Sequence, residues 1–223
     1  MIEDFKAKTP SAEALERKRR SMERLRNEGV PVLEGLPVIE DSAQAKRRTK
    51  EEVARRAMAV FIAAVKGEGL EQEIVDSVVA QYGAEDFFSP EEAEFIRDPE
   101  PAEQDRINFG WRYECAWVLF WALGYVEALA RPEGMCDVPA MVQVIKGGNM
   151  ERFLEGATLR TLEEILDETD LMYRYHWATT DARVKNMPAP AELDGGVVQE
   201  RHYALNWLTG HMDDEWDDVS TDT

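Results

Sequence analysis

The stretch from Leu162 to Lys185 holds the densest set of side chains able to do chemistry. At 100° per residue on a helix, Glu163, Asp167, Asp170, Arg174 and Asp181 fall on one narrow arc. A line of carboxylates on a helix edge is one way to hold a divalent ion such as Mg²⁺, which takes oxygen ligands and keeps several waters. The same residues can instead pair among themselves, Arg174 neutralising Asp170 at i,i+4 and Asp167 one turn further back. The paired row is the arrangement we expect, with a metal at Asp167, Asp170 and His202 as the alternative.

Histidine occurs three times, at 176, 202 and 211. His176 lies on the apolar face of the 162–185 segment with Leu162, Ile165, Leu166, Thr169, Met172, Tyr173, Trp177 and Thr180, so a hydrogen-bonded core imidazole is expected there. His202 and Asn206 stand four apart and share a face of the last helix, where they can present two polar groups to a pocket. A zinc site on that helix would want His or a carboxylate at i+4, and Asn206 is a poor zinc ligand. The expectation is that Arg201 and His202 bond the acidic tail or another helix. Arg112 and Glu114 flank the most apolar run and diverge by about 200° on a helix, so each needs its own buried partner. Candidates are Asp170 or Asp167 for Arg112, and Arg201 or Arg174 for Glu114.

Several familiar sites are missing from the sequence. It contains no GxxxxGK[ST] or GxGxxG phosphate loop, no HExxH and no GxSxG elbow. The acidic tail lacks the DxDxDG spacing of a calcium loop. The residues imply no cofactor.

The elements that must position these groups read as helices. Thr9-Pro10 opens a first helix that closes at Gly29, its thin apolar stripe (Leu15, Met22, Leu25) suggesting an outer position with Glu13–Arg17 and Glu16–Arg20 pairs. Val30 to Glu40 is apolar but broken by Pro31 and Pro37, which predicts an extended segment clamped over the core, at most one edge strand. Thr49 with Glu52, Ser89 with Glu92 and Thr161 with Glu164 each form a capping box. Helices follow over about 50–66, 72–81, 90–98, 140–146, 162–185 and 197–209. A central element from about Glu103 to Leu129 is apolar all round between Cys115 and Val126, which marks a helix buried on every side. The fold class is therefore all-α, a multi-helix bundle around that element, with residues 1–10 a flexible N-terminus and 11–223 one domain.

Charge is unevenly spread along the 223 residues. Positions 1–66 hold 15 Lys and Arg against 11 Asp and Glu, a net of +4, while the whole chain carries −19, leaving −23 for the rest. Either a basic partner or a basic N-terminal layer (11–66) on an acidic, Trp-rich body (70–223) accounts for this. The acidic excess opposes nucleic-acid binding through Lys18, Arg19, Arg26, Lys46, Arg47 and Arg48. No stretch approaches the roughly 20 apolar residues of a membrane span. The first eight residues carry Glu3 and Asp4 and no apolar core, so no secretory leader is expected. With only Cys115 and Cys136, the chain suits a reducing cytoplasm.

Six blocks in order, RKRRSMERLRNEGVPV, LPVIED, WRYECAWVLFWALGYVEAL, LRTLEEILDETDLMYRYHWATTDAR, VVQERHYALNWL and WDDVSTDT, resemble the bacterial family catalogued as domain of unknown function 4272. The resemblance runs from about Arg17 to Thr223 and implies a conserved-domain protein without supplying an activity. On the residues, the leading expectation is a non-enzymatic protein-interaction module with an acidic surface. The alternative is a helical hydrolase or ligand-binding protein. Its polar site, with or without a divalent metal, would lie between the central, 162–185 and 197–209 helices.

Overall fold

The computed structural model describes residues 9–223, so eight of the ten residues read as a flexible N-terminus lie outside the described part. Ten α-helices and no strand are found among the described residues. They are α1 (Ala12–Asn27), α2 (Lys50–Gly67), α3 (Gln72–Tyr82), α4 (Pro90–Arg97), α5 (Glu103–Trp111), α6 (Tyr113–Ala122), α7 (Val138–Ile145), α8 (Met150–Gly156), α9 (Leu162–Val184) and α10 (Gly195–Thr209). None is long and apolar enough to cross a membrane.

All three capping boxes form, at Thr49, Ser89 and Thr161, so each helix start is fixed by two reciprocal bonds. The first helix begins later than Thr9-Pro10 suggests, with Ser11 accepting from the Ala14 N–H. Asn149 caps α8, a seven-residue helix absent from the periodicity reading. The extended segment over residues 30–40 pairs with no strand. It is pinned through the Lys18 ammonium, which donates to the carbonyls of Glu34 and Leu36, with Val30 and Leu36 buried beneath.

The central element is two helices, not one. Arg112 (ψ −8°) breaks the register between α5 and α6, and Gly124 in the left-handed region ends the run. Every residue of α6 except Trp117 is buried, whereas α5 has no fully buried residue. A Cβ on Gly67 would lie 2.7 Å from the Gly110 nitrogen and 2.8 Å from the Arg106 carbonyl. The end of α2 thus touches α5 backbone to backbone.

The centre of the molecule is α2 against α6. Ala54, Ala57, Ala59, Ala63 and Ala64 are all at 0% exposure, small enough to admit close neighbours. So α2 lies within the core. The first helix, expected on the outside, packs along α9, with Leu15 of its expected stripe 49% exposed and Arg17 1% exposed. The α9–α10 pair forms the most extensive helix contact and carries the polar residues of interest.

Candidate functional site

Two neighbouring helices and a loop build the most distinctive cavity. The α10 start is fixed by Asp194, whose carboxylate accepts from the N–H groups of Gly196 and Val197, and its end by Gly210 in the left-handed region. This brings His202 and Asn206 beneath the extended segment. With Tyr173 of α9, and with Glu40, Gln44 and His211, they line a hollow of about 600 Å³.

His202 is 2% exposed and its Nδ1 lies 2.9 Å from Nδ1 of His176 on α9. One nitrogen must donate and the other accept, so the pair cannot be doubly protonated in this geometry. Burial pushes His176 down to about 4. Burial also drives His202 well below the ordinary range, assisted by repulsion from His176. Both rings are neutral at pH 7. On the far side, His176 lines a second hollow of about 400 Å³ with Thr180, Arg183 and Gln199. The imidazole pair therefore spans the α9–α10 contact from one hollow to the other.

The same cavity holds a histidine of opposite tendency. His211 Nδ1 sits 2.9 Å from Glu40, whose hydrogen bond raises its pKa, and the contact in turn holds Glu40 below its usual range. Asn206 donates its amide to the Ser220 carbonyl at 2.8 Å, which ties the acidic tail across α10.

The remaining sequence candidates lie in structural pairs. Asp170 and Arg174 form the expected i,i+4 pair, two-pronged at 2.7 and 2.9 Å and almost wholly buried, with Arg174 also donating to the Pro37 carbonyl. Asp167 does not join them; Arg17 and Arg20 of α1 take it at 3.0 and 2.6 Å. Arg112 pairs with Glu200 at 3.1 Å, not with Asp170 or Asp167. Glu114 pairs with Arg201 at 2.9 Å, one of its two expected partners, and accepts from the Cys136 N–H. Cys115 donates its thiol to Glu200 oxygens, and burial together with that carboxylate raises its pKa. Asp167, Asp170 and His202 thus enter three separate interactions. No group of three or more His, Cys, Asp or Glu is placed to hold a metal ion among the described residues.

The basic residues weighed for nucleic acid also have protein partners. Arg19 spans Glu16 and Glu23, Arg26 meets Glu34, and Lys46 meets Asp213. Arg47 and Arg48 donate to the carbonyls of Arg160 and Trp207. Of the α1 pairs, Glu13–Arg17 forms, while Arg20 turns away from Glu16 toward Asp167.

The sequence places His202 and Asn206 on one face of the last helix and His176 on the apolar face of α9, but it gives no means to join the two rings, because contact between helices is not written in spacing. Glu40 and Gln44 were missed as cavity walls. Their only signal was the proline-broken segment that carries them over the core. A family model described as a domain of unknown function (DUF4272) matches residues 17–219. No curated protein and no solved structure matches the chain.

Proposed function

We propose, from the premise that the chain belongs to the DUF4272 family, that this member binds a small polar ligand in the cavity under α9 and α10. The supporting observation is a hollow of about 600 Å³ with a neutral, buried imidazole in its wall, held in place by a second imidazole. Ligand sites commonly combine such a volume with a few fixed polar groups. With Nδ1 committed to His176, the atom His202 can offer a ligand is Nε2, as donor or acceptor according to tautomer. Asn206 adds an amide on the same helix face, and Tyr173 an aromatic wall 5.7 Å from the His202 ring.

Binding is favoured over hydrolysis because Asp167, Asp170 and Arg174, on which a hydrolytic site would draw, are engaged in ion pairs and do not line this hollow. It is favoured over a protein-interaction module because the charge asymmetry finds a use within the chain, in Arg17 and Arg20 on Asp167 and Lys46 on Asp213. We place the protein in the bacterial cytoplasm, a reading supported by its two unpaired thiols, Cys115 and Cys136.

A thermal-shift screen of polar metabolites tests the reading, using wild type, His202→Gln and Asn206→Ala. A ligand at 100 times its Kd stabilises by about 2.7 kcal/mol, and for this size each kcal/mol moves the midpoint by roughly 2–4 °C. A shift present in wild type and lost in both variants supports the site. A shift unchanged in both, or none from the screen while a stoichiometric protein partner is recovered, rejects it.

A further inference from the structure

The hollow of about 400 Å³ on the far side of the histidine pair, beside the start of α10, is walled by different groups from the first. The chain holds 45 Asp and Glu, yet none of them lines it. Arg183 is its one charged wall residue, and no carboxylate pairs with it among the described residues. The acids nearest in sequence are occupied. Asp181 takes Lys185 at 2.7 Å, and Asp194 caps α10 by accepting from the Gly196 and Val197 N–H groups. Gly195 and Gly196 leave the wall there without side chains, and Thr180 and Gln199 add a hydroxyl and an amide.

An exposed arginine alone would be a solvated charge, but a buried group also opens here. His176 is 6% exposed, and its Nδ1 is committed to His202 at 2.9 Å. Its Nε2 has no partner among the described residues and is not sealed off by protein, so it opens on the hollow that the ring lines. Repulsion from the Arg183 guanidinium adds to burial in holding this imidazole neutral, so the two groups lie within electrostatic reach of one another.

The pairing decides what that nitrogen can offer. Two neutral imidazoles carry two N–H protons, and one of these lies in the bond between the Nδ1 atoms. The ring that donates it has a bare Nε2, and the ring that accepts it has a protonated Nε2. The two outward nitrogens are therefore always opposite, one donor and one acceptor. Exchanging them moves the shared proton across the contact, while one Nε2 takes a proton from water and the other releases one to water. A group that binds one Nε2 thus fixes the character of the other.

We infer that this hollow is a binding site for a small carboxylate, which pairs with Arg183 and accepts from the His176 Nε2–H, and that its occupation makes His202 Nε2 an acceptor facing the first hollow. A planar carboxylate matches the guanidinium fork. A phosphate dianion would bring two charges to a single cation in a chain of net charge −19, which disfavours it. The inference goes beyond a ligand in the first hollow and does not rest on one.

Acetate titrated at constant ionic strength and neutral pH into the full-length protein tests it, read by NMR of the imidazole nitrogens of its three histidines. A saturable response with Kd of about 1–10 mM is expected. His176 Nε2 should move toward the protonated state and His202 Nε2 toward the bare one, in step, with His211 unmoved. Arg183→Gln, at an exposed position, should keep the wild-type melting midpoint and bind about tenfold more weakly or worse. Arg97→Gln, which removes an exposed arginine of α4, should respond as wild type does. In His176→Gln, acetate should leave His202 unmoved. The inference fails if acetate gives no saturable change, if Arg183→Gln responds as wild type, if phosphate binds as tightly, or if His176 shifts without His202.

Discussion

Between α6 and α10, the Arg201 guanidinium and the Glu114 carboxylate are both removed from water, at 2% and 0% exposure. Their attraction offsets a large desolvation cost only while both are present. Arg201→Met should therefore destabilise by about 3–5 kcal/mol, and Glu114→Leu added to it should restore part of the loss. Denaturant midpoints for the cycle would check this; a single-variant cost under about 1 kcal/mol would mean the pair is not buried. The histidine pair yields a pH dependence. In the unfolded chain His176 titrates near 6.5 and in the folded protein at about 4, so between those values the unfolded state binds more protons. Stability should fall as pH drops from 6.5 toward 4, by about 3 kcal/mol from this residue. His211 acts oppositely: its raised value adds stability below 6.5 that is lost as pH rises through the folded value. Urea midpoints from pH 7 down to 4.5 should decline less steeply in His176→Gln, and an unchanged slope would remove the pair as the cause. At this scale the Asp170–Arg174 pair was legible from its i,i+4 spacing, and Glu114 was legible as needing a buried partner because it stands at the entrance of an apolar run. Which partner each found was legible only where spacing along one helix decided it, as for Asp170 and Arg174.

Helix starts were legible because a capping box is a local device, complete within four residues, and all three formed. The break at Arg112 was not, since the run from Glu103 to Leu129 is a good single helix taken alone. Nor was the contact of α5 with Gly67, about forty residues away, whose missing side chain admits the α5 backbone. Gly67→Ala should push α5 off α2 and cost about 1–3 kcal/mol by overpacking. Gly110→Ala meets nothing within 4 Å and should cost far less at the same crossing. Thermal melts of the two variants would distinguish them; equal losses would point to helix propensity rather than contact. The helix α8 escaped notice because seven residues give barely two turns of periodicity, leaving Asn149 as its one signal.

Across the whole molecule, the segment after α10 serves as a strap despite its run of acids. Trp216 is 4% exposed, the Arg56 guanidinium lies 4.9 Å from its ring centre, and the Tyr203 hydroxyl donates to its carbonyl. Trp216→Ala should cost about 3–5 kcal/mol and lower the melting midpoint well beyond any charge change in the same segment. Asp218→Asn, an exposed position beside it, serves as the comparison. The all-helical class could be read from composition and periodicity. The burial of α2 could not, because an alanine-rich helix is equally suited to a surface or a tight core until its neighbours are known.

The contact between α1 and α9 also sets an order of events during synthesis. Arg17 and the aspartate it binds are 150 residues apart. At about 5–20 residues per second a ribosome needs roughly 8–30 s to travel from one to the other. Throughout that interval Arg17 and Arg20 have emerged and Asp167 has not been made. The nascent chain carries an excess of basic residues only over its first stretch and is already net negative once Glu85 is added, so Arg17 and Arg20 wait for Asp167 within a chain that has turned acidic.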